Sequence, residues 1–112
     1  MTNAIFSKTK DGRYKSIVCM GHADYARSNE KDMVCAAISV LVINTINSIS
    51  ELTSDANNMK VDTNEETGFI QCIFKDIISN ETQLLMNSLE LGLISIEKQY
   101  GKKYFELKFE EV

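Results

Sequence analysis

The chain holds a single histidine, His22, and one of its three cysteines, Cys35, follows it near the start of a predicted helix. A thiol beside an imidazole can form a thiolate and imidazolium pair, and the thiolate is the nucleophilic form of cysteine. Together the two residues could support attack of a thiolate on a carbonyl. Both also have ordinary structural roles, because free cysteine is commonly buried in a core and a lone histidine commonly lies at a surface.

Two elements must position these side chains. The β-favouring run Arg13 to Met20 ends just before the histidine, and apolar residues recur at helical spacing from Asp32 to about Leu52. Asp32 is a suitable N-cap for this helix. With these boundaries, we expect His22 and Cys35 to lie at the same edge of a sheet, joined by a polar loop.

The predicted helix start offers further groups for catalysis. Cys35 would occupy about the third helical position, where unpaired backbone amides and the positive end of the helix dipole favour an anion. Free amides of Val34, Cys35 or Ala36 could stabilise an oxyanion. Ser39 lies one turn later on the same face and could donate a hydrogen bond beside the sulfur. The carboxylate of Asp32 could instead cap those amides, so the two arrangements would compete.

The remaining pattern predicts an α+β fold in the order ββαββαβ. Hairpins separated by helices predict an antiparallel or mixed sheet with two helices packed on one face. Asp11-Gly12 is a tight-turn dipeptide, Asn80 with Gln83 is a possible capping box, and Gly101 a C-terminal helix glycine. The predicted elements are strands at Asn3 to Ser7 and Arg13 to Met20, a helix from Asp32 to about Leu52, a hairpin of Met59 to Asp62 with Gly68 to Lys75, a helix from about Glu81 to Tyr100, and a strand from Tyr104 to Phe109.

Composition limits the class of protein. A chain of 112 residues that is 44% hydrophobic and 25% charged can bury one core, so a single domain is expected over residues 1–112. The net charge of −4 argues against direct binding of nucleic acid. The first twenty residues lack a signal-peptide pattern, and no apolar run is expected to reach membrane-spanning length. We therefore expect a cytoplasmic protein without membrane contact.

The cysteines are odd in number and include no Cys-x-x-Cys spacing, which favours reduced thiols over a disulfide framework. Cys19 and Cys72 are predicted as core residues of strands. Cys19-x-x-His22 has the spacing of zinc ligands, and Cys35 with Cys72 could complete a set of four. Residues three apart on a strand point to opposite faces, however, and the remaining ligands lack paired spacing, so a metal site is not predicted.

Two separated segments resemble one known family. Gly21-His22-Ala23 ends a strand, and Asp32-Met33-Val34-Cys35-Ala36-Ala37-Ile38-Ser39 opens a long helix, as in the ribosomal-processing cysteine protease family called Prp. The later Gly92-Leu93, within LELGLISIEKQYG before a final strand, is similar to the second helix of that family. The similarity spans nearly the whole chain.

The resemblance implies a cofactor-free cysteine endopeptidase that removes a short N-terminal extension from a large-subunit ribosomal protein. It implies His22 as general base, Cys35 as nucleophile, and Asp32 and Ser39 as supporting residues. It also implies a homodimer in the bacterial cytoplasm. Either Asp24 or Asp32 could orient the His22 ring.

The loop before the helix departs from the family pattern. Family members usually carry a glycine shortly before the aspartate, whereas residues 27–32 read Arg-Ser-Asn-Glu-Lys-Asp. We predict Ser28, Asn29 and Glu30 as the substrate loop, with Asn29 as the best substitute for glycine, because asparagine tolerates left-handed backbone. The changed loop could alter the choice of substrate.

Two other classes of function fit the same residues. A non-catalytic peptide-binding module could use the groove near residues 22–35 to hold a basic peptide, which the acidic balance permits. A thiol redox sensor would oxidise Cys35 reversibly, although neither Cys19 nor Cys72 is placed as an obvious resolving partner. Exposed apolar positions on the second helix or the final strand are candidates for the dimer surface by elimination.

Overall fold

The computed structural model describes residues 2–21, 29–101 and 103–112, and the side chains of helix α1 from residue 33 onward. Within these residues the secondary structure follows the predicted order ββαββαβ. The elements are strands β1 (Thr2–Lys8) and β2 (Tyr14–Met20), helix α1 (Asn29–Leu52), strands β3 (Met59–Asn64) and β4 (Phe69–Phe74), helix α2 (Asn80–Tyr100) and strand β5 (Phe105–Glu111), with a one-turn 3₁₀ helix at Ala56–Asn58 before β3.

The strands form one mixed sheet in the order β3-β4-β2-β1-β5. Strand β1 pairs antiparallel with β2, and β3 with β4, as the two predicted hairpins require. Gly12 turns the first hairpin with φ +87°, a conformation that favours glycine. Strand β5 pairs parallel with β1, so that Thr2 lies opposite Phe105. The predicted α+β class is confirmed, and the parallel edge pair makes the sheet mixed.

One face of the sheet and both helices bury a common core. Because side chains alternate along a strand, the buried strand residues share the face that the helices cover. Cys19 and Cys72 belong to this core, as predicted. The core comprises Ala4, Phe6, Tyr14, Ile17, Cys19, Val34, Ile38, Val42, Ile49, Ile70, Cys72, Phe74, Ile78, Met86, Leu89, Leu93 and Phe105.

Helix α1 is more apolar than predicted from the sequence. Its residues Met33–Leu52 have a mean hydropathy of 1.8 and are long enough to cross a membrane by length and composition, so the expectation that no run reaches this length is wrong. The inner face of the helix is buried against the sheet through Val34, Ile38, Val42 and Ile49. This packing accounts for the apolar residues of the inner face. On the outer face Met33, Val40 and Ile43 are apolar and exposed.

Helix α1 begins at Asn29 rather than at Asp32. Asp32 therefore lies within the helix and is not its N-cap. Asn29 and Glu30 belong to the first turn rather than to a loop, and their contact with substrate stays a prediction. Residues 29–32 contain no glycine or proline that would stop the helix, and the negative charges of Glu30 and Asp32 suit a helix N-terminus.

Ser79, not the predicted box of Asn80 and Gln83, caps helix α2. The Thr82 amide donates to the Ser79 hydroxyl oxygen at 3.2 Å. Two neighbouring polar residues could each have served as the cap, and the one with extended backbone does so. The predicted glycine end is confirmed, because Gly101 has φ +77° and its amide donates to a carbonyl of the last turn.

Gln83 is engaged elsewhere, on the first hairpin. Its side-chain nitrogen donates to the carbonyl of Gly12 at 3.0 Å, and its side-chain oxygen accepts from the amide of Tyr14 at 3.2 Å. These bonds fasten the β1-β2 turn to the start of α2.

Candidate active site

Cys35 lies in the second turn of α1, half-buried, with its sulfur directed at strand β1. The hydroxyl oxygen of Thr2 is 3.2 Å from the Cys35 sulfur. This position differs from the first-turn position predicted from sequence. Because α1 starts at Asn29, the amides of Val34, Cys35 and Ala36 lie beyond the first four of the helix and bond to carbonyls one turn earlier. They are not the free oxyanion donors that the sequence suggested.

The contact with Thr2 puts Cys35 at the end of the sheet where β2 finishes. Asn3, the neighbour of Thr2, pairs with Met20, the last residue of β2. The chain then passes through Gly21 into His22. His22, Asp24 and Ser28 lie outside the described residues, as does the side chain of Asp32, so the meeting of the imidazole with the Cys35 thiol stays a prediction.

Two glycines fix the chain immediately before His22. The Gly21 amide donates to the Gly68 carbonyl at 3.1 Å. A Cβ on Gly21 would lie only 2.9 Å from the Gly68 Cα and 3.0 Å from the Thr67 carbonyl oxygen. Gly68 itself has φ +68°. From the sequence, Gly21 was expected only to end the strand. The glycine at position 68, beside a predicted hairpin tip, was the sequence feature that could have indicated its partner.

Ser39 follows Cys35 by one helical turn and is half-buried. Cys35, Ser39 and Ile43 are spaced four residues apart, so they follow one face of α1. The last two line a cavity of about 260 Å³ between α1 and the tip of the β3-β4 hairpin, so the cavity begins about one turn from the Cys35 sulfur. Its complete lining is Ser39, Ile43, Thr63, Asn64, Glu65, Gly68, Phe69 and Ile70.

The three thiols, all free, differ sharply in their surroundings. Burial raises the pKa of the Cys19 thiol to about 12, and the nearby Cys35 charge adds to that rise. Burial likewise raises the pKa of the Cys72 thiol to about 12. Both therefore stay protonated near neutral pH, which leaves half-buried Cys35 as the candidate nucleophile.

The zinc alternative finds no support among the three cysteines. Across residues 2–21, 33–101 and 103–112, no three His, Cys, Asp or Glu side chains are grouped so as to hold a metal ion. Cys19, Cys35 and Cys72 all lie in these ranges, so they do not form such a group with one another.

Comparison with known proteins identifies the family to which the chain belongs. The family model of the cysteine protease Prp matches residues 1–105. The chain belongs to the Prp family of cysteine proteases. The ribosomal processing cysteine protease Prp of Staphylococcus aureus is 28% identical over 92 residues, which make up 82% of this chain and 84% of that protein. The resemblance seen in the two sequence segments is confirmed, and the chain is a cysteine protease.

Solved structures share the fold. S. aureus Prp in complex with a substrate peptide superposes with a TM-score of 0.87 at 23% identity, over 98% of this chain and 100% of that one. S. aureus Prp with a covalently linked product peptide gives a TM-score of 0.85 at 24% identity, with the same coverage. The Prp fold is thus the five-stranded sheet and two helices described above.

Proposed function

We propose that this Prp-family protease removes a short N-terminal extension from a large-subunit ribosomal protein, with Cys35 as nucleophile and His22 as general base. The observation that carries the proposal is the half-buried Cys35 thiol at the end of the sheet where β2 leads into His22. S. aureus Prp is named a ribosomal processing protease, and its structures contain a substrate peptide or a covalently linked product peptide. A covalent link to peptide agrees with nucleophilic catalysis.

The proposed reaction has two steps through a thioester. His22 takes the proton from the Cys35 sulfur, the thiolate attacks the scissile carbonyl, and His22 returns the proton to the leaving amine as the C–N bond breaks. Water, deprotonated by His22, then adds to the thioester and releases the acid and the free thiol. Either Asp24 or Asp32 is proposed to orient the His22 ring, and Ser39, one turn after Cys35, to donate a hydrogen bond beside the sulfur. No cofactor takes part in these steps.

The cavity beside Ser39 suits a length of peptide next to the cut bond. Its walls include the apolar Ile43, Phe69 and Ile70, while Glu65 at the hairpin tip is exposed. An apolar wall with a carboxylate at its edge fits a peptide that carries apolar and basic side chains. The net charge of −4 acts in the same sense.

Cleavage of a synthetic peptide that spans the extension junction of the host's ribosomal protein, followed by mass spectrometry, tests the proposal. The native protein is expected to cut the peptide once, and Cys35→Ala and His22→Ala are expected to lose cleavage while keeping the native melting temperature. Cys72→Ala, which removes a core thiol, is the matched control and should still cut. Cleavage by Cys35→Ala would overturn the role of Cys35, and binding without cleavage by the folded native protein would support the peptide-binding alternative.

We also propose that the protease acts as a homodimer in the cytoplasm. Leu84 and Leu91 lie two turns apart on one face of α2, and each is 69% exposed. Large exposed apolar side chains that share one face are candidates for a protein interface. Light scattering is expected to give twice the chain mass of 12.6 kDa for the native protein and a lower mass for Leu91→Lys. A native monomer at micromolar concentration would contradict the dimer, and recovery of the protein in a membrane fraction would contradict the location.

A further inference from the structure

We propose that Thr2 is a positioning residue for the nucleophile, whose hydroxyl donates a hydrogen bond to the Cys35 thiolate and thereby favours the ionised, reactive form. The inference rests on the proposed role of Cys35 in catalysis. It adds a residue from the start of β1 to a site that the sequence placed only between β2 and α1.

The geometry of the contact supports a hydrogen bond. The Thr2 hydroxyl oxygen lies 3.2 Å from the Cys35 sulfur, and Thr2 is only 5% exposed. A hydrogen bond that is shielded from water is electrostatically stronger than an exposed one. The buried hydroxyl is therefore shielded on the Thr2 side, while the half-buried sulfur keeps partial access to solvent.

The direction of the bond decides its effect. A thiolate carries no proton, so the hydroxyl of Thr2 must donate when Cys35 is ionised. A thiol could instead donate its proton to the hydroxyl oxygen, which would favour the protonated form. The hydroxyl is the better donor and the thiolate the better acceptor, so the bond is stronger in the ionised state. Its net effect therefore favours the nucleophile.

The sheet holds the hydroxyl in place from both sides. The Thr2 amide donates to the Tyr104 carbonyl at 3.1 Å, and Thr2 is opposite Phe105 in the parallel pair of β1 with β5. The next residue, Asn3, pairs with Met20 of β2. Threonine is also β-branched, which restricts rotation about its χ1 bond. Strand pairing and side-chain stiffness together keep the hydroxyl directed at the sulfur.

The pH dependence of Cys35 alkylation tests the inference directly. Iodoacetamide labelling would be followed by peptide mass spectrometry at a series of pH values, so that Cys35 is separated from Cys19 and Cys72. We expect Thr2→Val to move the midpoint pH of labelling upward by roughly one unit and to slow labelling at pH 7 up to about tenfold. Thr2→Ser keeps the hydroxyl and is expected to restore most of the native midpoint.

Thr45→Val is the matched control. Thr45 is also buried, at 8% exposed, and its hydroxyl donates to the Leu41 carbonyl at 2.8 Å within α1. The same exchange of hydroxyl for methyl there is expected to leave the midpoint unchanged. Melting curves recorded for all variants would show that each is folded.

Three outcomes overturn the inference: an unchanged midpoint in folded Thr2→Val, a downward shift, or a native Cys35 that iodoacetamide never labels. The assay is independent of peptide cleavage. If the proposed function fails, the native protein does not cut the ribosomal peptide, whereas the labelling shift in Thr2→Val is still observed. If this inference alone fails, cleavage still depends on Cys35 but the midpoint does not depend on Thr2.

Discussion

The surroundings of helix α1 differ between its N-terminal half and the segment just beyond its C-terminal end. Just beyond its C-terminal end, the buried carboxylate of Asp55 accepts hydrogen bonds from the Ser79 amide and hydroxyl, both at 2.9 Å, from the Thr82 hydroxyl at 2.5 Å and from the Asn58 side chain at 3.1 Å. In its N-terminal half, the Cys35 sulfur is half-buried beside the Thr2 hydroxyl, one turn from a cavity. The first region fixes the end of α1 to the cap of α2, and the second leaves a thiol partly exposed.

The contrast shows why a buried acid need not be catalytic. Burial opposes ionisation of Asp55, but the hydrogen bonds from Thr82, Ser79 and Asn58 outweigh it and hold the pKa of the carboxyl below its usual value. A carboxylate that accepts so many protein donors is a poor base for a substrate. Cys35 has the opposite combination of a nucleophilic atom and partial access.

Removal of the Asp55 carboxylate is expected to give the largest loss of stability. Asp55→Ala leaves the Ser79 amide without its acceptor and removes the charged acceptor of the Ser79 and Thr82 hydroxyls, so the free energy of unfolding should fall by about 3 kcal/mol. Urea unfolding measures the change. Asp62→Ala, on the exposed strand β3, is the control and should change it by less than about 0.5 kcal/mol. A loss below about 1 kcal/mol for Asp55→Ala would mean that the network is not an anchor.

In the region around Cys35, substitution of Gly21 is expected to have the largest effect. In Gly21→Ala the new methyl meets the backbone of Gly68, which cannot rotate away, so the hairpin tip must shift. We expect a loss of stability of about 2 kcal/mol and a loss of peptide cleavage. Gly12→Ala is the control, because Gly12 has positive φ but open space around it, and it should lose only about 1 kcal/mol and keep cleavage. Full cleavage by Gly21→Ala would show that this contact does not position the site.

Low pH tests the Asp55 region, because it protonates the Asp55 carboxylate. A carboxyl whose pKa is lowered in the folded state contributes stability that is fully present above its unfolded pKa, near 3.8, and is lost as the pH falls through the folded value. The melting temperature of Asp55→Asn should therefore lie below that of the native protein at pH 7, and the gap should narrow below pH 3.8. A gap that is constant down to pH 2.5 would contradict the lowered pKa.

The smallest effect is expected where the two helices touch. A Cβ on Gly92 would lie 3.1 Å from a terminal methyl of Leu41, which can give way, unlike the backbone opposite Gly21. Alanine also has a helix propensity about 1 kcal/mol more favourable than glycine. The two effects oppose each other, so we expect Gly92→Ala to change the free energy of unfolding by less than about 1 kcal/mol in a urea titration. A larger loss would show tighter helix packing than this contact indicates.

Local sequence signals predicted most of the fold. Asp11-Gly12, the period of the apolar residues and Gly101 each act within a few residues, and the elements they mark form as predicted. The start of α1 was placed three residues late because the polar residues 29–32 contain no helix stop signal. The cap of α2 was misplaced by one residue because serine and asparagine are equally good caps.

Contacts between distant residues could not be predicted in the same way. Cys35 was identified from its residue type and its position after His22. Thr2 is separated from Cys35 in the chain by strands β1 and β2 and a loop, and no residue near Thr2 in the sequence indicates the contact. Asp55 likewise meets Ser79 across an intervening hairpin. Such pairs depend on the sheet order, which a period of apolar residues does not specify.

The parallel pair of β1 with β5 links the first strand to the last. Thr2 receives its backbone acceptor from Tyr104, and the partner strand begins at Phe105. During synthesis on the ribosome, β1 can pair with β2 early, but residue 105 emerges only after every other element. Until β5 forms, Thr2 therefore lacks the Tyr104 acceptor that helps to hold its hydroxyl beside Cys35, so both ends of the chain must meet before this contact is complete.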